Sequence, residues 1–272
     1  MTLQEAWQKK IPRGFSSKKA HAAQLRASTK IIRQDRVPEE IRYVAGVDVA
    51  YTADLSIGAA AVLTFDSLSL VESKVACTKT RLPYIPTLLS FREVSPAYAA
   101  IRKLQSRPDV FLVDGQGIMH PYRLGFASHL GLALGKPTIG VAKNPLVGTF
   151  GEFAESGWAP ITDRNEVVGV ALKPGKGLKP LYVSVGHLIS LERAVEVVKH
   201  CTPRHRVPKP IRLAHNVAAK KKRAIRAPTI CSLIRLSQST GENLCSACLL
   251  DSKSGHIGKE FSAETGHQPD KG

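Results

Sequence analysis

Hydrophobic and polar positions alternate in blocks along the first third of the chain, and their spacing changes from that of a helix to that of strands. Apolar residues recur at helical spacing among basic ones over 18–34, which predicts an amphipathic helix that Pro38 ends. Three apolar runs of strand length follow at about 42–51, 57–65 and 68–78. Their β-branched residues and the short polar turns between them predict a meander of antiparallel strands.

The middle of the chain predicts a strand–helix–strand unit. An apolar run over 109–113 ends abruptly in Asp114, and a second run over 138–142 ends in Lys143. Between them, residues 123–135 predict a helix with a face of small residues that suits close packing on a sheet. Sites in open α/β sheets lie beyond the carboxyl ends of parallel strands, so this acid and this base are expected at one shared edge.

The remaining pattern predicts an α/β fold with further helices and strands on either side of this unit. Prolines and glycines separate these elements and indicate a long loop over 144–164. Two short helices are predicted before the unit, at 87–92 and, with Ser95 as N-cap and Pro96 in the first turn, at 96–105; strands at 165–173 and 179–185 and helices at 190–200 and 210–225 are predicted after it.

Length and composition fit one large α/β domain with tails. The chain has 272 residues, of which 43% are hydrophobic, and this content supports a real core. Residues 1–17 are polar and predict a flexible N-terminal arm, and 18–226 predict the folded domain. Residues 227–272 are rich in Ser, Thr, Gly and His and predict a largely disordered C-terminal tail.

Cysteine usage and hydropathy predict a cytoplasmic location. No apolar run approaches the roughly 18 residues of a membrane helix, and the N-terminal residues contain no apolar signal-peptide core. The five cysteines are unevenly spaced and do not form a disulfide framework, which favours a reducing compartment.

The chain is strongly basic. Its 39 Lys and Arg residues against 22 Asp and Glu residues give a formal charge of +17, an excess that favours a polyanionic partner such as a nucleic acid. The alternative is a basic surface with no specific partner.

Three acids stand out against this positive background. Asp48 lies within the first predicted strand, on the same face as Gly46 and Ala50. Glu93 lies at a helix start, and Asp114 lies at the end of a predicted strand. Hydrolysis of a phosphodiester requires a hard cation to offset the phosphate charge, and Mg²⁺ prefers carboxylate oxygens. The three acids together therefore predict a metal-dependent nuclease. Taken singly, each could be an unrelated cap or surface group.

Several motifs, in order over about 18–223, resemble those of the endonuclease V family. They are GVDV (46–49), PYIP (83–86), SFRE (90–93), VDGQG (113–117) with His120-Pro121, ASHLG (127–131), PTIGVAK (137–143), LYVSVGH (181–187) and PIRLAH (210–215). The resemblance implies an RNase H-like fold, with a mixed five-stranded central sheet and helices on both faces. It also implies cleavage of DNA at the second phosphodiester bond 3′ to a deoxyinosine, with Mg²⁺ or Mn²⁺, and some members of the family act on inosine in RNA.

The resemblance also assigns roles to particular residues. It implies that Asp48 and Asp114 are the central metal ligands with Glu93 contributing, that His215 helps to position metal and water, and that Lys143 lies near the scissile phosphate. It makes Tyr84, in the loop of Pro83, Ile85 and Pro86, the wedge that separates bases at the lesion. An aromatic side chain on a stiff loop can fill the gap left by a displaced base. By position, the pocket for that base is formed by Leu89, Gly115, Gly125 and Leu146.

Two other functions remain open at this point, and so does the role of the tail. An RNA-directed or other nuclease of the same fold would keep the acids without needing Tyr84, and a non-catalytic nucleic-acid-binding protein would need neither. We expect a monomer.

The CxxC motif at Cys245 and Cys248 is half of a zinc-site pattern, which on its own is a weak indication of zinc.

Overall fold

A mixed sheet of eight strands forms the centre of the protein. The computed structural model describes residues 11, 12 and 14–226. The strands are β1 (Tyr43–Tyr51), β2 (Leu55–Thr64), β3 (Leu70–Lys79), β4 (Val110–Asp114), β5 (Thr138–Ala142), β6 (Trp158–Asp163), β7 (Glu166–Leu172) and β8 (Leu181–His187). The helices are α1 (Ser17–Ser28), α2 (Leu89–Ile101), α3 (Phe126–Leu134), α4 (Leu191–His200) and α5 (Lys209–Arg226).

The order of the strands is β3-β2-β1-β4-β5-β8-β7-β6. The antiparallel pairing of β1 with β2 and of β2 with β3 confirms the predicted meander. The parallel pairing of β4 with β1 and with β5 confirms the strand–helix–strand unit. Asp48, Asp114 and Lys143 therefore lie on or directly after neighbouring strands that run in the same direction.

Helices cover both faces of the sheet, which confirms the predicted RNase H-like α/β class. On one face, α2 and α3 pack against alternate residues of β1, β2 and β4. On the other, α4 and α5 cover the remaining residues of those strands together with β5, β7 and β8. Gly46 allows α5 to approach β1 closely, since a Cβ there would lie 2.0 Å from the Pro210 carbonyl carbon.

The first helix is shorter than the pattern predicts. It ends at Ser28 rather than near residue 34, and the hydroxyls of Ser28 and Thr29 bond back to carbonyls of its last turn. The chain then runs extended beside 187–190, where the Leu188 N–H donates to the Ile32 carbonyl and the Arg36 N–H to the Leu188 carbonyl. These tertiary hydrogen bonds override the helical spacing.

One helix replaces the two predicted around Pro96. Helix α2 runs through Pro96 without interruption, so the prediction that Ser95 caps a second helix is wrong. Pro96 is buried, and its carbonyl packs so closely on β2 that a Cβ at Gly58 would lie 2.1 Å from it. Packing of α2 on the sheet therefore compensates for the hydrogen bond that proline cannot donate.

The sheet is wider than the five strands that the family resemblance implies. The segment 144–164, predicted as a loop, contains β6, whose buried Ala159 and Ile161 alternate with exposed residues. Strands β6, β7 and β8 extend the sheet beyond β5 by antiparallel pairing. They therefore cover the edge that β5 would otherwise expose.

The described residues begin after most of the predicted arm and end before the predicted tail, so both remain predictions. Within 11, 12 and 14–226, no helix is long and apolar enough to cross a membrane. In the same part of the chain Cys77 and Cys201 are free thiols, while Cys245 and Cys248 lie outside it.

Candidate active site

Asp48 lies on strand β1, where helix α5 contacts it. Its carboxylate accepts a hydrogen bond from the Val49 N–H at 2.8 Å, and His215 Nδ1 of α5 lies 2.8 Å from the second oxygen. Asp48 is only 8% exposed, whereas the His215 side chain is 60% exposed. The histidine therefore connects a buried carboxylate to solvent.

Glu93 projects from α2 toward the same end of the sheet. It is 7% exposed and accepts a hydrogen bond of 2.8 Å from the hydroxyl of Tyr51 at the end of β1. The guanidinium of Arg92 lies 3.8 Å from the centre of the Tyr51 ring, a cation–π contact that fixes the ring. The Tyr51 hydroxyl in turn orients the Glu93 carboxylate.

Asp114 and Lys143 occupy the ends of β4 and β5, as the sequence predicts. Lys143 Nζ lies 3.4 Å from Asp114 Oδ2. Both residues line an open cleft of about 290 Å³ together with His215, which belongs to α5. The other side chains lining this cleft are Val207, Ile211, Arg212 and Asn216.

The carboxylates perturb one another, so they belong to one electrostatic unit. Burial raises the pKa of Glu93 to about 8, and the charges of Asp48 and Asp114 act in the same direction against the Tyr51 hydrogen bond. Burial and the charge of Asp48 also raise the pKa of Asp114, while Lys143 opposes this effect. A cation placed among these groups would relieve their repulsion and favour their ionised forms.

The raised pKa of Glu93 predicts that the metal-free protein loses stability as pH rises from about 6.5 to about 8. In this window the folded state keeps a proton on Glu93, while the unfolded chain, with a glutamate pKa near 4.3, has lost it. The folded state therefore binds more protons, and the free energy of unfolding falls with increasing pH. Thermal unfolding in EDTA should show a midpoint that drops by several degrees across the window.

Glu93→Gln provides the control for this pH dependence. His120 opposes this trend in the lower part of the window, because burial lowers the pKa of its imidazole to about 4 in the folded state while the unfolded chain binds that proton with a pKa near 6.5. Both proteins share this contribution, so the comparison with the variant isolates Glu93. The slope of midpoint against pH should become shallower in the variant. An unchanged slope would show that Glu93 is ionised in the folded metal-free protein.

The chemistry of the acids fits a hard divalent cation. Asp48, Glu93 and Asp114 supply oxygen donors alone, the type that Mg²⁺ and Mn²⁺ prefer. Among residues 11, 12 and 14–226, no three His, Cys, Asp or Glu side chains are arranged to hold a metal by themselves. Mg²⁺ in phosphoryl-transfer sites usually takes one or two carboxylates and completes its coordination with water and substrate phosphate.

Glycines bring the turn after Asp114 close to its neighbouring strands. A Cβ at Gly117 would lie 2.1 Å from the Val185 carbonyl oxygen, and the Gly117 N–H donates to Ser184 Oγ at 2.9 Å. The Gln116 amide donates to the Asn144 carbonyl, which ties this turn to the loop after Lys143. The turn therefore aligns the two strand ends.

The predicted wedge and base-pocket residues occupy two neighbouring regions. Pro83, Tyr84, Ile85 and Pro86 form an irregular loop before α2, and Tyr84 is 48% exposed. Two of the predicted pocket residues lie near each other: Gly115 lies beside the Phe126 side chain, and Gly125, the residue before Phe126, donates its N–H to the Gly117 carbonyl. The other two, Leu89 at the start of α2 and Leu146 in the exposed loop after Lys143, keep only their predicted assignment.

Sequence reasoning missed three residues of this site. Tyr51 could have been found from strand alternation. It lies at the end of the strand that carries Asp48 but on the opposite face, which α2 covers and where its hydroxyl meets Glu93. Arg212 lies three residues before His215 and four residues before Asn216 on α5, so a helical projection would have indicated their shared cleft.

Comparison with known proteins agrees with this geometry. The family model of endonuclease V matches residues 25–216. Endonuclease V of Thermofilum pendens is 49% identical over 207 residues, which are 76% of this chain and 89% of that protein.

Two solved structures extend the match to the fold. Endonuclease V from Streptomyces avermitilis superposes with a TM-score of 0.74 at 36% identity, covering 80% of this chain and 98% of that one. The Ciona intestinalis enzyme, in complex with a 24-mer DNA that contains an inosine followed by a ribo-adenosine, gives 0.68 at 30% identity over 76% and 98%. The chain therefore belongs to the endonuclease V family.

Proposed function

We propose that this endonuclease is a metal-dependent DNA-repair enzyme that hydrolyses the second phosphodiester bond 3′ to a deoxyinosine, leaving a 3′ hydroxyl and a 5′ phosphate. The observation that carries the proposal is the convergence of Asp48, Glu93 and Asp114 at one edge of the sheet, beside Lys143 and His215. The inosine-containing DNA bound by the Ciona relative supports the choice of lesion.

Asp48 and Asp114, with Glu93 contributing, would hold Mg²⁺, and Mn²⁺ would substitute for it in the same site. When bound, the cation supplies Lewis acidity at the scissile phosphate and makes attack by water feasible at neutral pH. The protein supplies positioning. The Val49 N–H and the His215 ring fix the two oxygens of Asp48, and the Tyr51 hydroxyl fixes Glu93.

Lys143 supplies positive charge for the phosphate. Its ammonium is half exposed at the mouth of the cleft and lies against Asp114. A lysine at this place can stabilise the negative charge that develops on the phosphate oxygens in the transition state. His215, exposed in the same cleft, can orient the attacking water while its Nδ1 remains on Asp48.

The partner is a nucleic acid strand, and we infer that residues 18–226 act on it as a monomeric domain. The charge of +17 favours the phosphate backbone, whereas the acids concentrate negative charge at the cleavage site. Inosine in RNA is the second candidate substrate, because the DNA bound by the Ciona relative carries a ribonucleotide directly after its inosine.

Cleavage of matched oligonucleotides tests the proposal. Single- and double-stranded DNA and RNA, each with one inosine or with adenosine at the same place, would be incubated with the protein and Mg²⁺. We expect cutting of the inosine strand at one position, and the preference between DNA and RNA identifies the main substrate. Equal cutting of inosine and adenosine strands would contradict lesion recognition, and binding without cutting would leave a non-catalytic protein.

Tyr84→Ala is expected to weaken lesion engagement more than chemistry. The side chain is 48% exposed on a loop framed by two prolines, and loss of a stacking aromatic costs about 1–3 kcal/mol per base, or about 5- to 150-fold. The KM for an inosine duplex should rise by this factor while kcat changes little. Steady-state kinetics would measure both constants.

Tyr98→Ala is the matched control, since Tyr98 is 37% exposed on α2 but lies outside the proposed wedge loop. Its KM should equal that of the unaltered protein. Equal effects of the two substitutions would show that Tyr84 has no special part in recognition.

A further inference from the structure

A polar cluster anchors the chain directly after the proposed wedge loop, at Thr87. This residue has φ of +67°, which a β-branched side chain adopts only when its surroundings hold it there. Gln24, buried at 0% exposure in α1, donates from Nε2 to the Thr87 carbonyl at 2.9 Å. The end of the loop is therefore held by a residue 63 positions earlier in the chain.

Two histidines complete the cluster. His21 Nε2 lies 3.0 Å from the Thr87 hydroxyl, which itself donates to the Pro86 carbonyl, so the imidazole is the donor of this pair. The His21 ring also stacks on Tyr122 with centroids 4.2 Å apart. The buried His120 ring also interacts with the Thr87 backbone.

The same Gln24 amide reaches the region of the proposed base pocket. Its Nε2 donates a second hydrogen bond, of 3.2 Å, to the carbonyl of Leu124, the residue before Gly125. The reversed amide would place an oxygen against two carbonyl oxygens, so both contacts fix Nε2 as the shared donor. Gln24 Oε1 is buried and has no hydrogen-bond partner among the described residues.

We propose that Gln24 is a positioning residue that sets the distance between two segments. It holds the wedge loop through Thr87 and the start of the proposed base pocket, at Gly125, through Leu124. This inference rests on the proposed function, since it assigns a task to a contact between two regions that recognise the lesion. One side chain amide bonds both regions directly. The displaced base has to reach the pocket while the wedge occupies its place, and an altered distance between them would disfavour this state.

Gln24→Met tests the inference while preserving the length and approximate volume of the side chain. It removes both hydrogen bonds and leaves two buried carbonyls without this donor, so we expect inosine discrimination to fall by about tenfold. Discrimination is the ratio of kcat/KM for an inosine strand to that for the matched adenosine strand. Affinity for the adenosine strand in EDTA should stay unchanged, because it depends on phosphate contacts.

A second readout follows base displacement without cleavage. A 2-aminopurine next to the inosine brightens when its neighbour leaves the stack, and this can be recorded in EDTA. The rise on binding should be smaller for Gln24→Met than for the unaltered protein. His21→Phe, which keeps an aromatic ring on Tyr122 at a half-buried position, should change both readouts in the same direction by a smaller factor.

Val198→Ala is the control for lost stability. Val198 is fully buried in α4, on the face of the sheet away from the wedge loop, and shortening it destabilises the core. If this variant shows a similar fall in melting temperature but normal discrimination, a loss of discrimination in Gln24→Met supports positioning.

Unchanged discrimination in both Gln24→Met and His21→Phe would overturn the inference. Absence of inosine preference in the unaltered protein would instead overturn the proposed function.

Discussion

Asp48→Asn is expected to lower the rate of strand cleavage by at least about a thousandfold, equivalent to about 4 kcal/mol of transition-state stabilisation. Asparagine keeps the shape of the side chain and an oxygen that can accept from the Val49 N–H. It loses the negative charge that would hold the cation and that interacts with Glu93 and Asp114. Single-turnover cleavage of an inosine strand, with binding measured in EDTA, would separate lost chemistry from lost affinity.

Asp109→Asn is the matched control for this substitution. Asp109 lies just before β4, at the opposite end from Asp114, and accepts hydrogen bonds from the N–H groups of Arg42 and Tyr43. Its replacement should cost stability without changing the cleavage rate per folded molecule. Near-normal cleavage by Asp48→Asn would refute the assignment of the metal site.

Removal of divalent metal is expected to abolish cleavage and to leave nucleic acid binding in place. Burial, together with the charges of Asp48 and Asp114, raises the pKa of Glu93 to about 8, so a bound cation would favour the ionised form of Glu93 near neutral pH. Dialysis against EDTA followed by titration with Mg²⁺ or Mn²⁺ should restore activity. Because metal competes with protons for Glu93, the Mg²⁺ concentration for half-maximal activity should fall as pH rises toward about 8.

The metal experiment needs constant ionic strength. Salt weakens contacts between basic side chains and phosphate, so added MgCl₂ should be balanced by a reduction in NaCl. Glu93→Gln separates the two sources of pH dependence, since its half-maximal Mg²⁺ concentration should vary less with pH. Full cleavage in EDTA after exhaustive dialysis would contradict the metal-dependent mechanism.

Local signals in the sequence were sufficient for the central part of the site. Asp114 and Lys143 end short apolar runs joined by one helix, and parallel strands joined in this way place their ends together. Asp48 is a charged residue within an apolar strand, and a buried carboxylate requires a cation, a proton or a hydrogen-bond donor beside it. The motifs of the family then connected His215, 167 residues away, to the same place.

Tertiary packing decided the features that the sequence analysis missed. Pro160 argued against a strand over 158–163, but β6 lies at the edge of the sheet, where a missing N–H donor is tolerated. Pro96 argued against a continuous helix, but burial of α2 on the sheet keeps it intact. The link from Gln24 to Thr87 and Leu124 joins distant segments through a side chain, and no periodicity in the sequence encodes it.

The pairing of Asp48 with His215 also has a consequence for the order in which the molecule matures. This hydrogen-bonded pair joins residues 167 positions apart, so it can form only when the chain between them has closed. Strand β1 and the neighbouring β2 and β3 can assemble well before α5 docks at Gly46. A chain in which α5 has not docked therefore has Asp48 without its histidine partner.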